Sequence, residues 1–117
     1  MLKAIALLAR KPGLTHAEFV AHYENNHAKL IRSLLPQIGD YRRNYIDRES
    51  MAGADTAADP DFDVITEFGF ADRSGYDEML ATHAKSEVRA AIEADEANFL
   101  DRTRSRMFVV ETRESAA

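Results

Sequence analysis

The chain has 117 residues, 45% of them apolar and 30% charged, with a net charge of −5; this is the length and mix of one soluble globular domain, 1–117. It holds no cysteine, which excludes a disulfide framework, a thiolate metal site and a cysteine nucleophile, and points to a reducing, cytoplasmic compartment. Basic residues are scattered among acids apart from a short run at 102–106, so a nucleic-acid footprint is not expected.

The apolar start ends at Ala9 and runs into Arg10-Lys11-Pro12-Gly13 with no small-residue cleavage site. It reads as a strand over 2–10 and a turn, not as a leader. No stretch approaches the roughly 20 apolar residues of a membrane helix. Thr15-His16-Ala17-Glu18 is a capping box, a signal that contributes about 1 kcal/mol at a helix start. The helix it opens runs to Leu34 or Leu35, where Pro36 and Gly39 stop it. A second strand covers 41–48. Residues 49–61 are small, acidic and turn-rich, and are expected to move relative to the strands they join. Alternation predicts a third strand over 62–70. Ser74 is expected to cap a helical turn through Leu80, a longer helix covers 86–100, and a last strand covers 105–112.

The order is β-α-β-β-α-β: an α+β, ferredoxin-like chain with a four-stranded antiparallel sheet and its helices on one face. The first and last strands are apolar on both parities (Leu2, Ala4, Ala6, Leu8 against Ile5, Leu7, Ala9; Met107, Val109 against Phe108, Val110). A strand apolar on both sides is covered on both sides. With no third layer in the sequence, the expected cover is a second copy, giving a homodimer.

On the first helix Phe19, Val20, Tyr23, Leu30, Ile31 and Leu34 span an arc of roughly 120°. His27 falls near its middle, four residues after Tyr23, with Asn26 at the edge. The simpler reading is a core histidine satisfied by one carbonyl; the functional reading is an imidazole facing a cleft beside a phenol. His22 falls outside the arc and reads as solvated or capping. It diverges from His27 by about 140°, and H-E-x-x-H is absent, so no metal site is expected.

Asp95 interrupts the apolar stripe of the late helix, three after Ile92 and four before Phe99. A carboxylate there needs a partner: an arginine of the last strand or of the mate, or a histidine that it orients. Glu96 is expected to face solvent. In Tyr41-Arg42-Arg43-Asn44-Tyr45 one parity carries Tyr41, Arg43 and Tyr45 and the other Arg42 and Asn44, and either set has donors for a pocket.

With these residues in view, the chain resembles the EthD family within the dimeric α/β-barrel superfamily. The likeness covers nearly the whole chain. It rests on Leu7-Leu8-Ala9-Arg10-Lys11-Pro12-Gly13-Leu14-Thr15 leading into Phe19, Tyr23 and His27-Ala28-Lys29-Leu30. It continues through Tyr41-Arg42-Arg43-Asn44-Tyr45 and Phe62-Asp63-Val64-Ile65-Thr66-Glu67-Phe68, and ends with Asp95-Glu96-Ala97-Asn98-Phe99 and Phe108-Val109-Val110-Glu111. The resemblance implies sheets packed face to face in a dimer and an apolar cleft between sheet and helices. Its helix histidine falls on His27 and its late acid on Asp95. The superfamily includes polyketide cyclases, cofactor-free monooxygenases, lactone isomerases and haem-degrading enzymes. The chain has no tryptophan for the last of these, and no glycine loop for a flavin or nicotinamide.

The reading of function is cofactor-independent acid–base chemistry on a hydrophobic aromatic or polyketide-like small molecule. His27 and Asp95 are its catalytic candidates, and Phe19, Tyr23, Asn26, Asn44 and Tyr45 its substrate contacts. The alternatives are a non-catalytic small-molecule binding or accessory dimer, and a purely structural dimer.

Overall fold

The computed structural model describes residues 1–53 and 56–116. β1 (Leu2–Leu8) leaves the sheet through the Lys-Pro-Gly turn, where Gly13 takes a positive φ of 93° that side-chain-bearing residues avoid. Thr15 then caps the first helix as its sequence requires: its hydroxyl accepts the Glu18 N–H, and Glu18 in return accepts the Thr15 N–H. The helix has three consecutive parts, α1 (His16–His22), a π-helical segment (Tyr23–His27) and α2 (Ala28–Leu34). β2 (Asp40–Tyr45) and β3 (Val64–Phe70) follow. α3 (Arg73–His83) is capped by Asp72, which accepts the Gly75 N–H, and not by Ser74. α4 (Ser86–Glu96) ends earlier than the sequence predicts, and β4 (Arg106–Val110) closes the chain's regular structure.

The strands form one antiparallel sheet in the order β2-β3-β1-β4. This is the ferredoxin-like arrangement, with the helices on one face. Alternation assigns the faces. Ala4, Val64, Thr66 and Phe70 are buried under the helices with Ile31, Leu35, Ile38, Met79 and Ile92. The opposite parity carries Ile5, Leu7, Phe108 and Val110 on β1 and β4, flanked by Lys3 and Arg106, with Ile65 beside Leu7 on β3, and Arg42, Asn44 and Glu67 toward β2. Phe108 is 42% exposed and Ile65 37%. The bare face therefore has an apolar half beside a polar one. Among the described residues, no helix is long and apolar enough to cross a membrane.

A short 3-10 turn, Arg48–Ser50, leads into the 49–61 segment. Ala54 and Asp55 of that segment lie outside the described residues. The segment is tied to the body at its far end: Asp59 sits 3.4 Å from Arg10, and the Asp61 carbonyl accepts Arg104. Asp63 is the knot that follows. It is 3% exposed and accepts the Arg10 N–H, the Arg10 guanidinium and His16 Nδ1, each at 2.8 Å. One carboxylate thus joins the exit of β1, the start of α1 and the approach to β3. Asp63→Ala strands three donors around a buried site. The expected loss is about 2–4 kcal/mol of stability, read from the midpoint of urea unfolding.

Candidate active site

The site starts from a local departure in the first helix. The Ala28 N–H reaches back five residues to the Tyr23 carbonyl, the π pattern, instead of four. In α-helical winding His22 and His27 point about 140° apart. The extra residue in this turn brings positions five apart onto one face. The expected divergence of the two histidines is thereby overturned: both meet one carboxylate of α4. His27 Nδ1 lies 2.8 Å from one oxygen of Asp95, and His22 Nε2 lies 2.9 Å from the other. The partner of Asp95 is not an arginine but this pair of imidazoles.

Phe99 is the platform under the network. Its ring stacks on His22 at 4.8 Å, lies 4.8 Å from His27, and also touches Phe19 and Tyr23. Burial opposes charge on Asp95, but the hydrogen bonds from His27 and His22 outweigh it and hold the carboxyl below its ordinary value. Burial pushes the His27 imidazole below 6.5, and Asp95 offsets this only in part. At neutral pH the pair is therefore a carboxylate and a neutral ring. The ring's proton sits on Nδ1, facing Asp95, which leaves the lone pair on Nε2.

His27 is 4% exposed yet borders a cleft of about 420 Å³ between helices and sheet, within the usual size of small-molecule sites. Ala6 of β1 and Met107 of β4 face each other across the sheet register and form part of the floor. Ile31, Leu35, Ile38, Met79 and Ile92 make apolar walls. Tyr23 and Tyr41 stand beside His27. Their hydroxyls are already engaged: Tyr41 donates to Tyr23 at 2.9 Å, and Tyr23 shares a 2.9 Å bond with Thr66. Burial raises both phenols above their ordinary pKa, so both keep their protons.

The structure gathers His27, Asp95 and Tyr23 and leaves the other candidates elsewhere. Phe19 is fully buried behind Tyr23. Asn26 is exposed, with its amide 3.3 Å from His22 Nδ1. Tyr45 shares the helix-facing parity with Tyr41 but bonds Glu24, which Arg43 also grips with two 2.8 Å bonds. Asn44 is on the opposite face of the sheet, bonded to the Ile65 carbonyl and Glu67. Three residues of the site were not singled out by sequence reasoning. His22 stands five before His27, the repeat of a π turn. Tyr41 has the parity of a helix-facing residue. Glu96 was expected in solvent but borders the cleft; it sits four after Ile92 and four before Leu100, a spacing that places it on the buried stripe. Among the described residues, no three histidine, aspartate or glutamate side chains are arranged to hold a metal ion.

Asp95→Asn keeps an acceptor for an imidazole but removes the charge that favours its protonated form. The His27 pKa is therefore expected to fall further below 6.5. A ring-resonance NMR titration of the histidines checks this, and an unchanged or raised value contradicts it.

The sequence matches the EthD domain family over residues 11–103. A search of curated proteins finds no match. Among solved structures, an EthD family protein of Bacillus halodurans is similar with a TM-score of 0.65 and 21% identity, over 97% of this chain and 100% of its own. An EthD-like protein of Ralstonia eutropha has a TM-score of 0.65 and 19% identity, over 94% and 89%. A dimeric ferredoxin-like protein of unknown function from Thermobifida fusca has a TM-score of 0.54 and 18% identity, over 95% and 90%. At such identities the likeness is one of fold, while the domain match spans most of the sequence: the chain belongs to the EthD family.

Proposed function

We propose that this protein is a cofactor-independent acid–base enzyme acting on a hydrophobic, aromatic or polyketide-like small molecule, with His27 as general base. The observation that carries this reading is the Asp95–His27 pair at the wall of an apolar cleft. Asp95 fixes the tautomer and supports the imidazolium that forms when Nε2 takes a proton. A histidine serving only to fill the core has no need of a cleft beside it. A cleft with apolar walls and ionisable groups at its border suits a hydrophobic ligand that carries a polar group. Tyr23 contributes a wall through its ring. A homodimer is part of the proposal: the middle of the bare sheet face over β1 and β4 carries Ile5, Leu7, Phe108 and Val110, and one similar structure is described as dimeric. The absence of cysteine agrees with a cytoplasmic setting.

The test begins with mass spectrometry of small molecules that co-purify with the protein. With a compound so identified, His27→Ala is expected to lower kcat by about 10²–10⁴-fold while leaving its Kd within a few-fold. The acid limb of the wild-type pH–rate profile should lie below pH 6.5, because the base is active only when neutral. Binding without any turnover in the wild type would make the protein a carrier, and turnover surviving in His27→Ala would remove the base.

The dimer is tested separately. Multi-angle light scattering at micromolar concentration is expected to give twice the mass of one chain. Phe108→Glu, which places a charge on the apolar half of the bare face, should shift the protein to the mass of one chain without unfolding it.

A further inference from the structure

Glu96 is the last residue of α4, one after Asp95. Successive helix residues turn by about 100°, so Asp95 goes to the two histidines while Glu96 goes to the cleft that His27 borders. Its side chain is 24% exposed and has a loose ionic contact, Arg102 Nε at 3.9 Å, too long for a hydrogen bond. Arg102 is nearer to Glu93, at 3.4 Å. The other ionisable groups bordering this part of the cleft are His83 and Arg106, with Asp95 behind.

The phenols and amides that could hold a substrate oxygen are committed elsewhere. The hydroxyls of Tyr23 and Tyr41 are bonded to each other and to Thr66. Asn44 is on the other face of the sheet, and Asn26 is beside His22 at the surface. A base that removes a proton from carbon next to a carbonyl works faster when an acid protonates the oxygen as charge develops there.

We propose that Glu96 is the proton donor of this cleft, acting opposite His27 on an apolar carbonyl compound with hydrogen on the adjacent carbon. This rests on the reading of His27 as base and narrows its substrate class to enolisable ketones. In the step, His27 Nε2 takes the proton from carbon. The C–H electron pair becomes the C=C of an enol, the C=O π pair moves to oxygen, and that oxygen takes the proton of Glu96. The reverse step returns the proton to Glu96 and delivers a hydron from His27 to carbon. No oxidant or reductant takes part.

The environment of Glu96 supports the assignment. Burial raises its pKa above the usual carboxyl value, with the charges of Glu93 and Asp95 adding to the rise and Arg102 opposing it. The carboxyl end of a helix also disfavours a negative charge. Glu96 is thus biased toward the acid form as burial biases His27 toward the base form.

The experiment uses 2-tetralone as probe in D2O, with α-deuteration followed by proton NMR across pH. Wild type is expected to exceed the buffer rate, and His27→Gln to lose that excess. Glu96→Gln should lower the rate by about 10²-fold and remove the alkaline limb of the profile, while Glu96→Asp retains part of both. Thermal midpoints of the variants verify the fold. Wild-type rate and profile in Glu96→Gln, with His27→Gln inactive, overturn the donor while leaving the base in place. A uniform loss with both limbs intact makes Glu96 a positioning residue and equally overturns it. A wild type no faster than buffer, or an active His27→Gln, removes the base and the donor together.

Discussion

The Asp95 carboxylate, held between two imidazoles, is the constraint on which the site depends. It docks α4 against the first helix, decides which nitrogen of His27 carries the proton, and gives the π-helical turn its purpose. A π turn forgoes the favoured i→i+4 hydrogen bonds and is rare for that reason. Here it brings His22 and His27 onto one face, where each bonds a separate oxygen of Asp95. Hydrogen bonds to a charged group contribute about 1.5–3 kcal/mol each, enough to offset one irregular turn. His22 has no place on the cleft; it holds the second oxygen of Asp95 and leaves the first to His27.

The cleft follows from what the sheet and helices do not fill. β1 is central and carries Ala4 and Ala6 on its helix side, where β2 and β3 present Tyr41, Phe68 and Phe70. Small side chains in the middle of the sheet, with large ones to one side, leave a hollow under α2 and α4. The tyrosines around it are braced from behind. Arg43 lies over the Tyr41 ring at 4.7 Å and is gripped by Glu24, which is itself held by Tyr45. The Glu24 carboxyl is pushed down to about 2, first by its hydrogen bonds to Arg43. This charged buttress stays intact across the pH range in which His27 titrates, so the cleft keeps its shape while the imidazole changes state.

Element order and the sheet were legible because they depend on local signals: the Lys-Pro-Gly turn, the Thr15 capping box and the alternation of 62–70. Boundaries drifted where a tertiary contact took over, as at Asp72, which displaced Ser74 as the cap of α3. The central position of His27 and the need of Asp95 for a partner were also legible, since a wheel and a stripe expose them. The identity of that partner was not. A wheel drawn at a constant 100° places His22 away from His27, and only the extra residue of the π turn corrects it. Asn44 shows a different limit. Its strand has donors on both parities, and the choice of face depends on register with β3, which no residue of β2 sets alone. Glu96 was lost to the habit of assigning glutamate to solvent, although its spacing from Ile92 and Leu100 marked the buried stripe.

The protonation of His27 is a contest between two environments, and its outcome decides what the residue can do. Burial under Tyr23 and Phe99 disfavours the imidazolium; the Asp95 charge favours it. Were Asp95 to dominate, the ring would carry a proton at neutral pH, and a protonated ring cannot accept another. Burial is the larger effect, so the ring stays neutral while its Nδ1 proton remains pinned. The second histidine contributes to this balance. Set on the same carboxylate, His22 opposes a second positive charge on His27. A lone Asp–His pair at the same depth would be more basic and less often free. Two imidazoles on one carboxylate therefore orient the His27 ring and moderate its pKa at once, which is the task that the π turn makes geometrically possible.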